Sequence, residues 1–112
     1  RAAEKPLKLF NQRGENFAVG VWNISDVPVD GEISISDIPR IDSGRRYLAY
    51  EYFSKKYRPF DLENSIKLSL GQGEVQAWSV YPIRDDKVKL GDCSKYFGAA
   101  TPVAREVQLR HC

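Results

Sequence analysis

The sequence has no methionine, one histidine and two cysteines among its 112 residues. The single histidine, His111, is next to the last residue, which excludes a catalytic triad, a histidine proton shuttle and a multi-histidine zinc site. Cys93 and Cys112 could close a loop with a disulfide worth about 3 kcal/mol, but two reduced cysteines are the interpretation that we adopt. We therefore predict that the chain holds no metal and no other cofactor.

Long apolar runs and a large excess of one charge are also missing. No run approaches the roughly 20 residues that cross a bilayer, no signal segment opens the chain, and the net charge is +2. These properties predict a soluble chain, with a cytoplasmic location favoured, and neither a membrane nor a nucleic acid as partner. Asn23-Ile24-Ser25 has the form of a glycosylation acceptor, which we interpret as a chance match without a signal segment. Because the chain begins with Arg1, we expect it to be a piece of a longer protein.

One segment, from Arg45 to Arg58, interleaves basic and aromatic side chains as the binders of single-stranded nucleic acids do. Glu51 lies in its middle, however, and Asp61 and Glu63 follow it. Nucleic-acid binding needs a whole basic face, so we interpret the segment as a core strand followed by a charged turn at residues 55–58.

Apolar residues recur with a period of two, which is typical of half-buried strands. Glycine, proline and aspartate between the apolar runs indicate turns. The pattern predicts one domain over residues 1–112, an all-β antiparallel Greek-key sandwich of about eight strands. The predicted strands are residues 7–10, 17–25, 32–36, 47–53, 66–70, 75–81, 88–90 and 103–109.

The acidic residues offer no catalytic pair. Hydrolysis by carboxyl groups alone needs two of them on either side of the bond that breaks, one of them held protonated by its surroundings. The 15 acids lie mainly in predicted turns, where aspartate is favoured because it bonds to the backbone. We therefore predict that this chain alone catalyses no reaction.

Trp22 and Trp78 are the candidate carbohydrate-binding residues, because sugar rings present apolar faces to exposed aromatic side chains. Each lies in a predicted strand with apolar residues on both faces, so burial against a second sheet or a neighbouring domain is the alternative. An exposed row of the two rings favours a carbohydrate-binding module, whereas burial favours a domain that packs on a partner.

Two segments of the chain resemble a known family. The first, residues 17–25, is an apolar strand that ends in Trp-Asn-Ile-Ser, and the second runs from Tyr81-Pro82-Ile83 to Ala100 and contains Lys95-Tyr96-Phe97. Together they resemble the C-terminal β-sandwich domain of α-galactosidase-like and raffinose-synthase-like glycoside hydrolases. The resemblance implies a C-terminal fragment of a sugar-cleaving enzyme whose catalytic residues lie in a separate (β/α)8 barrel, so no catalytic residue carries over to this chain.

Three hypotheses about function follow. The resemblance implies a non-catalytic accessory domain that packs on the catalytic barrel of its parent enzyme and stabilises it. The alternatives are a carbohydrate-binding module that uses Trp22 and Trp78, and an interaction domain of immunoglobulin-like shape. Because the aromatic residues exceed what one small core needs, the first hypothesis predicts an apolar docking patch. The candidate interface residues are Tyr50, Tyr52, Tyr57, Tyr96 and Phe97.

Overall fold

A computed structural model describes residues 5–84, and within them the chain forms an antiparallel β-sandwich. Strands paired in antiparallel fashion make up both of its sheets. The predicted all-β sandwich is therefore confirmed. The strands are β1 (Leu7–Arg13), β2 (Asn16–Trp22), β3 (Val29–Ile33), β4 (Tyr47–Glu51), β5 (Lys56–Phe60), β6 (Ile66–Leu70) and β7 (Val75–Pro82), with a 3-10 helix at Ile35–Asp37.

The strands divide into a larger and a smaller sheet. The larger sheet has the order β1-β2-β7-β4-β5, and the smaller one pairs β3 with β6. The pairs β1-β2 and β4-β5 are hairpins of the larger sheet, whereas the chain crosses to the smaller sheet for β3 and again for β6. β7 then returns between β2 and β4, so its hydrogen bonds join two hairpins that are distant in sequence.

Side chains at alternate positions of both sheets meet in one buried core. This arrangement explains the period of two in the sequence, because each strand turns one face inward and one outward. Burying one large apolar side chain contributes roughly 1.5–3 kcal/mol, so the shared core holds the two sheets together. Its members are Phe17, Val19, Val21, Ile33, Ile35, Ile38, Tyr47, Ala49, Phe60, Ile66, Leu68, Leu70, Trp78 and Val80.

Glycines form two of the turns that the sequence predicts. Gly14 lies in the β1-β2 hairpin with a φ of 60°, and Gly73 lies between β6 and β7 with a φ of 68°. This backbone conformation favours glycine because glycine has no Cβ. The connection from β3 to β4 crosses from the smaller to the larger sheet.

Two segments differ from the prediction. The charged residues 55–58 are predicted to form a turn, but most of them belong to β5, which pairs with β4 and contains Pro59. Proline is tolerated there because β5 is an edge strand of the described sheet. Ile35 is predicted to continue the third strand but begins the 3-10 helix, where the Asp37 carboxylate accepts a hydrogen bond from the Ser34 amide. The predicted strands at residues 88–90 and 103–109 lie outside the described residues.

Candidate functional site on the outer face of the larger sheet

The outer face of the larger sheet points away from the core and carries many apolar side chains. Alternate residues of its strands point there, and the strand register aligns them in rows across the sheet. An antiparallel sheet that faces water usually shows polar side chains on that side. A contiguous apolar surface is instead typical of an interface, so this face is the candidate functional surface of the described residues.

Apolar side chains occupy one end of the outer face. Leu7 pairs with Trp22 across β1 and β2, and Trp22 pairs with Val75 across β2 and β7. Leu9 lies in the next row, two residues along β1. These four side chains, which we call the apolar patch, are between 42% and 67% exposed. Because directly paired residues lie side by side, their exposed surfaces are contiguous rather than scattered.

Small side chains form a shallow floor beside the apolar patch. Leu9 pairs with Gly20, and Gly20 pairs with Ala77; in the following row, Ala18 pairs with Ser79. A Cβ added to Gly20 would meet no atom within 4 Å. The backbone of β2 is therefore open here to close approach by another molecule.

Tyrosines occupy the part of the outer face that β4 and β5 form. Tyr50 pairs with Tyr57, and their ring centroids are 4.7 Å apart. Burial raises the pKa of the Tyr57 hydroxyl, and the neighbouring Tyr50 and Tyr81 raise it further. Leu48, in register with Pro59 and Tyr81, is almost fully buried although it lies outside the core between the sheets. The predicted interface residues Tyr50 and Tyr57 are thus half-buried in the chain's own packing.

Tyr52 and Phe53 follow β4 and are largely exposed. Their rings make an edge-on contact with centroids 5.2 Å apart, and the Lys55 ammonium lies 5.5 Å from the Tyr52 ring centroid. The Tyr52 amide donates a 2.8 Å hydrogen bond to the Ala77 carbonyl, which holds this turn beside the small-residue floor. Tyr52 is therefore an exposed member of the predicted interface set, close to the middle of the outer face.

The two tryptophans lie on opposite faces of the larger sheet. Trp78 is 5% exposed and belongs to the core, where its indole nitrogen donates a 3.0 Å hydrogen bond to Gln76. Trp22 belongs to the apolar patch. The two rings therefore do not form one exposed row, and of the two only Trp22 is exposed. Tyr96 and Phe97, the other predicted interface residues, lie outside the described residues.

Polar side chains line the opposite end of the outer face. A cleft of about 510 Å³ opens there between β1, β2 and β7. Its lining combines amide, guanidinium and hydroxyl groups with aromatic side chains, and polar groups of this kind fix the orientation of a ligand in small-molecule sites. The described lining residues are Asn11, Arg13, Asn16, Phe17, Ala18, Ser79 and Tyr81. Sequence reasoning missed this cleft, because its residues come from three strands that only the fold brings together.

Asn23 follows β2 and joins two connections of the fold, a role that sequence reasoning also missed. Its fully buried side-chain amide donates to the carbonyls of Val27, Leu70 and Gly71 at 2.8, 3.3 and 2.9 Å. Its side-chain oxygen accepts hydrogen bonds from the amide and the hydroxyl of Ser25. The side chain therefore holds the β2-β3 connection against the end of β6. Asn23 is the residue that follows Trp22 of the apolar patch in the sequence.

Several acidic residues bond to backbone amides that are close to them in the sequence. Asp37, Asp42, Asp61 and Glu74 each accept a hydrogen bond from a backbone amide two or three residues away. Glu15 instead pairs with the guanidinium groups of Arg45 and Arg84. Exposed pairs of this kind contribute little to stability, so these acids are explained by local structure.

Among residues 5–84, no three His, Cys, Asp or Glu side chains come together as a metal site would require. Within the same residues, no helix has the length and apolar character needed to cross a membrane.

Comparison with known proteins finds similarity of fold. No family model and no curated protein matches the sequence. A solved structure of a Bacillus halodurans C-125 protein, named as an alpha-N-acetylgalactosaminidase, matches with a TM-score of 0.57 and 13% identity, over 71% of this chain and 21% of its own. Alpha-galactosidase I from Mortierella vinacea matches with a TM-score of 0.52 and 20% identity, over 65% of this chain and 20% of its own.

These matches confirm, at the level of the fold, the predicted resemblance to a β-sandwich domain of α-galactosidase-like glycoside hydrolases. The identities are low, so the likeness concerns the fold alone. The matched region spans about a fifth of each glycosidase chain. The fold of this chain is therefore one that larger sugar-cleaving enzymes contain as a part.

Proposed function

We propose that this chain is a non-catalytic accessory domain of a larger glycoside hydrolase, and that its outer face docks on the catalytic barrel. The match to about a fifth of two glycosidase chains supports the first part of the proposal. The apolar patch supports the second part and is the observation that carries it. In this role the domain covers an apolar flank of the barrel and stabilises the enzyme, while the chemistry takes place in the barrel.

The apolar patch has the properties of a docking surface. Leu7, Leu9, Trp22 and Val75 form one contiguous surface, and the open backbone at Gly20 lets a partner approach closely. Covering a large apolar side chain contributes roughly 1.5–3 kcal/mol when its burial is complete. Tryptophan is also among the residues that contribute most at interfaces. A small patch suffices between domains of one chain, because the tether raises their effective concentration to about the millimolar range.

The alternative hypotheses receive less support from the geometry of this patch. Trp78 lies in the core, and Trp22 lies among aliphatic side chains, whereas a sugar site needs polar groups beside the ring. Trp22 is therefore better explained as an interface residue. An immunoglobulin-like interaction domain would bind a different partner, so the variants tested below would leave the barrel unaffected.

Trp22→Asp is expected to release the domain from the barrel when it is introduced into the full-length parent protein. A carboxylate would then face an apolar surface with no partner, and the docking equilibrium should weaken by about 2 kcal/mol, or roughly thirtyfold. The measurements are limited proteolysis between the two domains and calorimetric unfolding of the barrel. We expect faster cleavage and a lower unfolding temperature of the barrel.

Gly20→Gln provides a second variant and Leu62→Asp a control. The space above Gly20 is empty, so Gly20→Gln is expected to preserve the fold of the isolated chain while it obstructs docking. Leu62 is exposed in the β5-β6 connection, outside the apolar patch, so Leu62→Asp is expected to leave docking unchanged. If Trp22→Asp and Gly20→Gln behave like Leu62→Asp, docking through the outer face is disproved.

A further inference from the structure

The polar cleft is a second, separate feature of the outer face. Arg13 pairs with Asn16 across the β1-β2 hairpin, and Asn11 lies one row nearer to the apolar patch. Leu9 and Asn11 are two residues apart in β1, so the patch and the cleft are neighbours, separated by about 7 Å. The cleft volume of about 510 Å³ falls in the range of small-molecule sites, roughly 300–1,000 Å³.

The side chains of the cleft offer hydrogen bonds that the described chain does not use. Within residues 5–84, no side-chain hydrogen bond or ion pair involves Asn11, Arg13 or Asn16. Each asparagine presents a donor and an acceptor, and the guanidinium presents a planar set of donors. Tyr81 adds an aromatic ring and Ser79 a hydroxyl. The described lining therefore combines several neutral polar groups, one cation and two aromatic rings, of which Phe17 is largely buried in the core.

We propose that this cleft binds a neutral saccharide. A sugar ring carries neighbouring hydroxyl groups that both donate and accept, and these match two amides beside a guanidinium. Its apolar face matches the ring of Tyr81. An apolar ligand would leave the amides without partners, and a strongly anionic one would favour several cations where the described lining has one. This site lies apart from Trp22 and does not rest on the docking of the barrel.

The test is an NMR titration of the isotope-labelled 112-residue chain with glucose, galactose, N-acetylglucosamine and glucuronic acid. At least one neutral sugar is expected to cause saturable shifts in the side-chain amide signals of Asn11 and Asn16. Arg13→Gln is expected to weaken that binding about tenfold, as the loss of hydrogen bonds from a charged group would. Asn16→Ala serves as the second variant, and circular dichroism checks that each variant is folded.

Phe53→Ala is the matched control, because it removes an exposed aromatic ring that lies outside both the cleft and the apolar patch. We expect it to change sugar affinity by less than about twofold, since separate sites act independently. The absence of saturable shifts with every neutral sugar overturns the proposal. Tighter binding of glucuronic acid than of glucose also overturns it, because the site would then prefer an anion. Sugar binding that is lost in Trp22→Ala but kept in Arg13→Gln overturns it as well, because the site would then lie at the apolar patch. Failure of docking leaves this result unaffected, so the two proposals are tested separately.

Discussion

Replacing Asn23 by aspartate is expected to lower the free energy of unfolding by about 3–5 kcal/mol at neutral pH, the usual effect of an uncompensated buried charge. The substitution hardly changes the volume of the side chain. It replaces a nitrogen that donates to the carbonyls of Val27, Leu70 and Gly71 with an oxygen that repels them. Because domains of this size are stable by about 5–15 kcal/mol, the variant should be close to unfolding.

Urea denaturation followed by circular dichroism measures this effect. Asn11→Asp is the matched control, since it makes the same change on the exposed outer face and should alter stability by no more than about 0.5 kcal/mol. Acid should partly restore Asn23→Asp, because a protonated carboxyl regains a donor. Equal stability of the two variants, or a loss at Asn23 that does not respond to acid, would contradict this account.

The position of Asn23 also explains the apparent glycosylation signal. The nitrogen to which a glycan would be attached is buried and donates within the fold. Ser25, the other required residue, donates through its amide and its hydroxyl to the Asn23 side-chain oxygen at 2.9 and 2.7 Å. The same spacing of Asn and Ser thus forms a local turn of a common kind, in agreement with its interpretation as a chance match.

Strands buried on one face could be predicted from the sequence, because the space between the sheets imposes a period of two. β6 shows this directly, since Ile66, Leu68 and Leu70 are buried and the polar residues between them are exposed. β5 could not be predicted in the same way. Its composition is that of a charged turn, and its strand structure depends on pairing with β4, which is a tertiary effect.

The candidate site could be predicted in part. The composition shows a surplus of aromatic side chains, which predicts that some of them lie outside the core. Strand periodicity alone does not say which face of a strand the second sheet covers. Trp78 pairs with Val19 of the core, whereas Trp22 pairs with Leu7 and Val75 on the outer face. The polar cleft depends on β7 lying beside β2, a contact between distant parts of the chain that no local pattern encodes.

Glu51 is the other buried polar residue on which the fold is expected to depend strongly. The residue is 2% exposed, and its carboxylate accepts hydrogen bonds from the backbone amides of Phe53, Ser54 and Ala77 at 3.3, 2.7 and 2.9 Å. Burial is the largest single influence on the pKa of Glu51 and acts to raise it, but the hydrogen bonds together hold the pKa below its usual value of 4.5. The fold therefore stabilises the charged carboxylate, which ties the turn after β4 to β7.

Glu51→Gln is expected to lower the free energy of unfolding by about 2–4 kcal/mol at neutral pH, because an amide nitrogen cannot accept the bonds that these backbone amides donate. The folded pKa is lower than the unfolded one, so the carboxylate's contribution is complete above the unfolded pKa and is lost as pH falls through the folded pKa. Wild-type chain should thus lose more stability between neutral pH and about pH 3 than the variant does.

The exposed Glu32, whose pKa is also lowered, first by its hydrogen bond with Ser65, keeps its own acid dependence in both proteins. Urea denaturation at both pH values measures this difference in stability, with Glu63→Gln as the exposed control. If wild-type and Glu51→Gln chains lose the same stability in acid, the buried carboxylate does not stabilise the fold through its charge.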